Sequence, residues 1–294
     1  MTNRKSISKT YKIFIGGKFP RSESGRVYKL KVNDQSIANI CMCSRKDLRN
    51  AVVAARNSYD KWSSASAYNR AQVLYRIAEM MEGRKSQLME DLILQGIKEK
   101  AAIEEVNVST DRVIYFAGWA DKINQVFGSV NPVSTSHFNF SQLEPMGVVG
   151  LISPEKPSLL GLISALCPIL VSGNSAVVIA SESLPICAIS IAEVFANSDV
   201  PPGVVNILTG SKKETTLQLA KHMDVNALYL CDNNVELNKS NQIEAADNLK
   251  RIILPNDYNW HLNSVESPYE IIRFMETKTT WHPIENISNS GTGY

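Results

Sequence analysis

The second half of this chain alternates short apolar segments with longer helical ones, and this alternation restricts the folds open to it. The predicted strands are residues 148–152, 176–179, 204–208, 227–230 and 252–254, and the predicted helices between them are residues 159–171, 186–196, 214–222 and 235–246. Strands that are apolar on both faces need helices on both faces, which crossovers between parallel strands supply. The pattern therefore predicts an α/β protein with a doubly wound, Rossmann-like parallel sheet.

The first half is predicted to be mostly helical. Apolar residues recur at helix spacing in residues 45–62, 67–90 and 99–127. Ser44 precedes the first of these segments and is a suitable N-cap. Residues 12–31 instead combine short apolar segments with glycine-containing turns, which predicts strands joined by turns.

The last part of the chain departs from the alternation and predicts a separate C-terminal segment. Residues 269–275 are predicted to form a short helix, and residues 277–283, rich in Thr and Trp, a strand. We expect a main domain over residues 11–260, a C-terminal strand segment over residues 269–284, and flexible ends at residues 1–10 and 285–294.

Charge and cysteine usage exclude several classes of protein. The 31 Lys and Arg residues balance 29 Asp and Glu residues without a basic block, so we expect no nucleic-acid partner. The longest apolar run, residues 159–171, is too short to span a bilayer, so we expect no membrane segment. Five scattered cysteines without a Cys-x-x-Cys pair, and four isolated His residues, predict reduced thiols, no metal site and a cytoplasmic location.

Three segments of the alternating region carry motifs of a known family. Residues 144–154 read EPMGVVGLISP, residues 173–178 read GNSAVV, and residues 201–210 read PPGVVNILTG. In order and spacing they resemble the EP-GVVG-I-PWN-P, GN-VV-KP-E and PPGVVN-VTG motifs of the aldehyde dehydrogenase superfamily. Residues 13–25 also resemble that family's opening hairpin, and residues 275–281 resemble its last strand, so the resemblance covers nearly the whole chain.

This resemblance implies N-terminal helices, a cofactor-type sheet and a β oligomerisation arm, whose last strand pairs across a dimer in the family. Between Trp260 and Tyr269 the family would carry an entire catalytic domain with its nucleophilic cysteine, whereas this chain has about eight residues there. The chain therefore resembles the degenerate second module of long, two-module aldehyde dehydrogenases, without the cysteine-bearing catalytic domain.

The catalytic positions implied by the resemblance hold other residues. Aldehyde oxidation needs a thiolate nucleophile, donors for the oxyanion and a base that activates water. The asparagine of the PWN motif aligns with Lys156, and the glutamate that acts as base aligns with Pro255. Cys167 and Cys187 are expected in the core, and Cys231, at the end of a strand, is the thiol to consider for a reactive role. We therefore expect no catalytic residues.

The cofactor positions implied by the resemblance are partly retained. Of the lysine and glutamate that hold the ribose, the lysine position is Ile179, while Glu182 remains. Gly210 is kept, whereas Asp232 replaces a glycine near which the pyrophosphate would lie. Each has a structural alternative, since an acid at a helix start is favoured by the helix dipole and a glycine after a strand is often a turn. We expect vestigial binding at Glu182, Gly210 and Asp232, with NAD(P) bound weakly or not at all.

Three functions are compatible with a chain that resembles the family's scaffold but carries other residues at its catalytic positions. The first is a catalytically inactive, aldehyde dehydrogenase-like subunit that acts by assembly, as a homodimer or with an aldehyde dehydrogenase subunit or module. The second is an NAD(P)-binding sensor that uses Glu182 and the carboxyl edge of the sheet. The third is a residual aldehyde:NAD(P) oxidoreductase that uses Cys231 as its thiol.

Overall fold

The structure is a computed structural model that describes residues 8–255 and 259–284. In these residues the helices are α1 (Arg45–Ser63), α2 (Ala67–Gly83), α3 (Lys85–Leu94), α4 (Glu99–Trp119), α5 (Ile123–Phe127), α6 (Ser158–Val171), α7 (Ile186–Ala196), α8 (Lys212–Lys221), α9 (Val235–Ala245) and α10 (Pro268–Ile272). The strands are β1 (Thr10–Tyr11), β2 (Val27–Val32), β3 (Gln35–Cys41), β4 (Ser129–Asn131), β5 (His137–Pro145), β6 (Val148–Ile152), β7 (Ser175–Ile179), β8 (Val205–Leu208), β9 (Ala227–Leu230), β10 (Arg251–Ile253) and β11 (Met275–Pro283). The predicted flexible ends lie largely outside the described residues.

The central sheet has five parallel strands in the order β10-β9-β6-β7-β8, which confirms the predicted Rossmann-like fold. Strands β6, β7, β8 and β9 are buried along their whole length, as their apolar composition requires. The chain runs outward from β6 through β7 to β8 and then crosses back to β9. The sheet order therefore reverses between β6 and β9, and a crevice between their carboxyl ends is the expected ligand position in such folds.

Helix α6 covers the central sheet and is buried at every residue. Its N-terminus is satisfied from α4, because Glu105 Oε1 accepts hydrogen bonds from the amides of Leu159 at 2.8 Å and Leu160 at 3.2 Å. Towards the other end of α6, the carbonyl of Leu170 accepts a hydrogen bond of 3.1 Å from Nε1 of Trp62 in α1. The predicted N-terminal helices thus serve to cover this helix and the sheet behind it.

Most predicted boundaries in the alternating half are confirmed, and the differences are local. The predicted helix over residues 67–90 divides at Arg84 into α2 and α3, since Gly83 is a poor helix former. Ser44 caps α1 as predicted, in a reciprocal capping box with Asp47. Residues 12–18 form isolated bridges instead of a strand, and Phe14 exchanges two hydrogen bonds of 2.7–2.8 Å with Ile207, which covers the β8 edge of the sheet.

A second sheet, here called the arm, has the antiparallel order β11-β5-β4. Strands β4 and β5 were not predicted, because their apolar residues are few and largely solvent-facing. Strand β11 pairs with β5 of the same chain over nine residues, from Met275 opposite Pro145 to Pro283 opposite His137. In the described residues the other side of β11 carries no strand, so β11 is an edge of the arm.

Across the described residues no helix is both long enough and apolar enough to cross a membrane.

Replacing Gly203 by Ala should destabilise the protein by about 2–4 kcal/mol. Gly203 has a φ of +96°, and a Cβ there would lie 2.5 Å from the carbonyl oxygen of Ala54 in α1. Gly25→Ala is the matched control, because Gly25 also has a positive φ, +67°, but a Cβ would meet no atom within 4 Å. Urea unfolding of both variants measures the difference, and equal losses would contradict the close contact between Gly203 and α1.

Candidate functional site

The crevice between the carboxyl ends of β6 and β9 is filled by a tryptophan that follows the last strand of the central sheet in the chain. Trp260 is only 1% exposed, and its carbonyl accepts a hydrogen bond of 3.2 Å from Arg112 Nη2 of α4. Its side chain borders two small cavities, of about 190 and 150 Å³. The larger is also bordered by Lys156 and Cys231, and the smaller by Pro255. Lys156, Cys231 and Pro255 therefore border the same two cavities as Trp260.

A larger cleft of about 720 Å³ opens beside the crevice, between α8 and α9. Leu217 of α8 and Leu237 of α9 are partly exposed and form its apolar walls. Its polar lining includes Glu155, Glu182 and Asp232, which follow β6, β7 and β9, and Lys212 at the start of α8. The volume lies in the range of small-molecule sites.

A buried ion cluster, here called the Lys212 cluster, closes the inner end of this cleft. The ammonium of Lys212 lies 2.6 Å from Asp232 Oδ2 and 2.5 Å from Glu155 Oε1, and it donates to the carbonyl of Ser153 at 2.6 Å. Lys212 and Asp232 are each 4% exposed, so neither charge would be tolerated without the other. Three loops at the carboxyl edge are thereby joined through one side chain.

The carboxylates of the cleft also accept hydrogen bonds from four backbone amides there. Glu182 Oε2 accepts from the amide of Lys212 at 3.0 Å, at the N-terminus of α8. Asp232 Oδ1 accepts from the amide of Asn234 at 2.8 Å, and the Asn234 side chain in turn caps α9. Glu155 accepts from the amides of Glu182 and Ser183 at 3.0–3.1 Å. These donors are the groups that would otherwise hold an anion.

The electrostatics of Glu155 follow from this cluster. Burial raises the pKa of Glu155, but the charge and hydrogen bond of Lys212 and the hydrogen bonds from Ser183 outweigh burial and lower the pKa to about 2. Glu155 is thus an anion across the physiological range. Of the predicted cofactor positions, the cluster brings Glu182 and Asp232 together through Lys212. Gly210 lies apart, and a Cβ there would come within 3.1 Å of the backbone nitrogen of Cys43 and 3.3 Å of the α-carbon of Met42.

Sequence reasoning missed Lys212 and Glu155. Lys212 follows Gly210 and Ser211 after β8, and Glu155 precedes Lys156 in the loop after β6. The sequence did offer a signal for Lys212. A lysine that begins a helix, two residues after the glycine that follows a buried strand, lies at the carboxyl edge of the sheet. In the structure Lys156 is exposed, and Glu155 is not.

The thiols lie in the core. All five cysteines are buried and unpaired. Burial raises the pKa of Cys43 and Cys167 to about 12, and it raises those of Cys187 and Cys231 well above the usual value. The charge of Lys212 reaches Cys231 and acts to lower its pKa, but burial dominates. These surroundings favour the protonated thiols, which are poor nucleophiles. In residues 8–255 and 259–284, no group of three His, Cys, Asp or Glu side chains could hold a metal ion.

The comparison with family models identifies the class of protein. Residues 21–255 match the model described as "Aldehyde dehydrogenase family", so the chain belongs to the aldehyde dehydrogenase family. It is 32% identical over 233 residues to cytosolic 10-formyltetrahydrofolate dehydrogenase of Pongo abelii, covering 76% of this chain and 26% of that protein. It is 30% identical over 251 residues to aldehyde dehydrogenase, cytosolic 1, of Elephantulus edwardii, covering 83% of this chain and 49% of that protein.

A solved structure supports the same assignment. The NAD⁺ complex of an aldehyde dehydrogenase from Bacillus cereus matches with a TM-score of 0.79 at 25% identity, covering 84% of this chain and 50% of that one. This chain thus spans half or less of the length of each of these three proteins. The B. cereus enzyme was solved as a complex with NAD⁺. In this chain a carboxylate accepts from one backbone amide at the start of α8 and another from the amide of the N-cap of α9.

Substituting Glu155 by Gln should flatten the acid side of the stability profile. A carboxyl whose pKa is lowered by folding stabilises the protein above its unfolded pKa, and this stabilisation is lost as pH falls towards the folded value. The wild type should therefore lose about 1–2 kcal/mol more than Glu155→Gln between pH 5 and pH 2, allowing for solvent screening of a partly exposed group. Urea unfolding at several pH values measures this. If the unfolding free energies of the wild type and Glu155→Gln fell in parallel with pH, the depressed pKa would be contradicted. Glu79→Gln, on the surface of α2, is the control.

Substituting Lys212 by Met should destabilise the protein by about 3–5 kcal/mol, because Asp232 then stays buried without its partner. Adding Asp232→Asn to that variant should recover part of the loss. A double-mutant cycle of unfolding free energies measures the coupling. Lys213→Met, at the exposed neighbouring position, should cost less than about 0.5 kcal/mol. Additive losses would show that the two charges are not coupled.

Proposed function

We propose that this chain is a catalytically inactive aldehyde dehydrogenase-like subunit that acts by assembly, as a homodimer or with an aldehyde dehydrogenase subunit. The observation that carries this proposal is the burial of Trp260 in the crevice between β6 and β9. An active enzyme would need its substrate and its hydride acceptor to meet in this crevice. The indole takes up space between the residues at the family's catalytic positions.

The side chains around the indole support inactivity. Pro255 cannot accept a proton from water, and the exposed ammonium of Lys156 differs in charge and geometry from an amide donor. Cys231 would have to supply the thiolate, and its burial favours the neutral thiol. A residual oxidoreductase would therefore lack a nucleophile, an oxyanion donor and a base at the same place. The five unpaired thiols also fit a cytoplasmic location.

The arm supplies the surface for assembly. Cross-strand pairing places Val130, Phe138 and Phe140 on one face of the arm, since Val130 lies opposite Phe140 and Phe138 is two residues away from it. Val130 is 69% exposed and Phe138 is 46% exposed. Strand β11 offers its unpaired edge beside this face. An exposed strand edge next to exposed aromatic side chains favours pairing with another chain.

An NAD(P)-binding sensor is the second candidate, and the cleft of about 720 Å³ beside the retained Glu182 favours it. It requires saturable binding of NAD or NADP, which a calorimetric titration measures. Absence of heat at millimolar dinucleotide would eliminate this candidate and leave the assembly role intact.

Substituting Phe138 by Asp should weaken assembly at least tenfold in dissociation constant, because a charge would be buried in the contact. Light scattering after size-exclusion chromatography, with and without an aldehyde dehydrogenase from the native extract, measures assembly. Leu249→Asp is the control, because Leu249 is fully exposed outside the arm. A wild-type chain that stays monomeric and captures no dehydrogenase subunit would contradict the assembly role.

A further inference from the structure

We propose that the cavity between α1 and α8 binds an organic anion that combines an apolar chain with one acidic head group. This cavity, here called the α1–α8 cavity, has a volume of about 490 Å³. It is distinct from the cleft between α8 and α9, because α8 packs against both α1 and α9 and separates the two spaces. The inference is independent of the proposed assembly role, since it concerns neither the arm nor its exposed face.

The inner surface of the α1–α8 cavity is apolar. Cys43, Leu48 and Thr215 border it and are buried, so they form its floor. Leu217 of α8 also borders it and remains partly exposed. An apolar ligand group that covers this leucine and the floor removes apolar surface from water, which favours binding. The body of the ligand is therefore expected to be hydrocarbon.

The extent of the lining favours a chain over a compact ion. The residues of α8 that border the cavity run from Lys213 to Gln218. At a rise of 1.5 Å per residue, this stretch measures about 7.5 Å along the helix axis. The volume of the cavity also lies in the range of small-molecule sites. A ligand that fills it therefore extends along α8 for more than one helical turn.

The rim of the cavity carries an excess of positive charge. Arg26, Arg45 and Lys213 border it and are exposed, against one exposed carboxylate, that of Glu214. Glu214 is already paired, because its Oε2 lies 3.3 Å from Nη2 of Arg26. Arg45 and Lys213 form no ion pair within the part of the chain that the structure describes. An acidic head group at the rim would therefore meet two uncompensated cations.

The floor does not oppose an anion. Burial, together with the charges of Asp47 and Glu214, raises the pKa of Cys43 to about 12, although the charge of Arg26 acts to lower it. The thiol is thus neutral at physiological pH and adds to the apolar surface. Ser44 and Asp47 already cap the start of α1, so the attraction for the head group comes from the side chains of the rim.

Calorimetric titration of the wild-type chain at neutral pH with octanoate, octyl phosphate, octanamide and octylammonium tests the proposal. Octanoate or octyl phosphate should bind saturably at one site per chain, and the tighter of the two identifies the preferred head group. Octanamide should bind at least about tenfold more weakly than that anion, and octylammonium more weakly still. The proposal is overturned if neither anion binds at millimolar concentration, or if octanamide binds as tightly as the anions.

A pair of neighbouring substitutions tests the rim. Arg45→Gln should weaken binding of the anion by about three- to tenfold, because one of the two uncompensated cations is lost. Lys46→Gln is the matched control, since Lys46 is also exposed but pairs with Glu23 and does not border the cavity. It should leave the dissociation constant within about twofold of the wild-type value. Equal effects of the two substitutions would overturn the role of the rim.

A second pair of substitutions tests the location. Gln218→Trp should abolish binding by filling the α1–α8 cavity from α8. Leu237→Trp places the same side chain in the cleft between α8 and α9, and it should leave binding of the anion unchanged. Loss of binding in Leu237→Trp but not in Gln218→Trp would place the ligand in the neighbouring cleft and overturn the proposal. If Gln218→Trp does not fold, the comparison of Arg45→Gln with Lys46→Gln decides.

Discussion

The burial of both faces of the central sheet is the constraint on which the rest of this structure depends. Strand β6 lies in the middle of the sheet, and the wholly buried helix α6 follows it directly. Such a helix cannot leave its end groups unsatisfied, and Glu105 of α4 supplies the acceptor for two of its amides. These layers cover both faces, and the cleft of about 720 Å³ lies among the loops at the carboxyl edge of the sheet.

At that edge, side chains of loops that follow different strands contact one another. A buried charge must be paired, and Lys212 pairs with Asp232 and Glu155 across loops that follow three different strands. Trp260 fills the crevice next to the Lys212 cluster. Ionic and apolar contacts of this kind stabilise the loops that follow the strands.

Most of the fold was predictable, since it rests on periodicity. Buried strands such as β6 and β9 are continuous apolar segments, and their helices follow at regular distances. The arm was not predictable in full. Strand β5 is half exposed, carries little apolar signal, and is fixed by pairing with β11, whose residues lie more than 100 positions away in the chain. The candidate site was predictable in part, because motif positions identified Glu182, Asp232, Lys156 and Pro255 but gave no information on what each side chain contacts.

The sequence by itself determined the doubly wound sheet and the membership of the aldehyde dehydrogenase family. Each of these is encoded locally, in apolar periodicity or in the identity of a residue within a motif. The tertiary structure alone decided that Lys212 neutralises Asp232, that Trp260 fills the crevice, and that β11 pairs with β5. Those contacts join segments that are distant in the chain, and only the packing of the folded layers brings them within reach of one another.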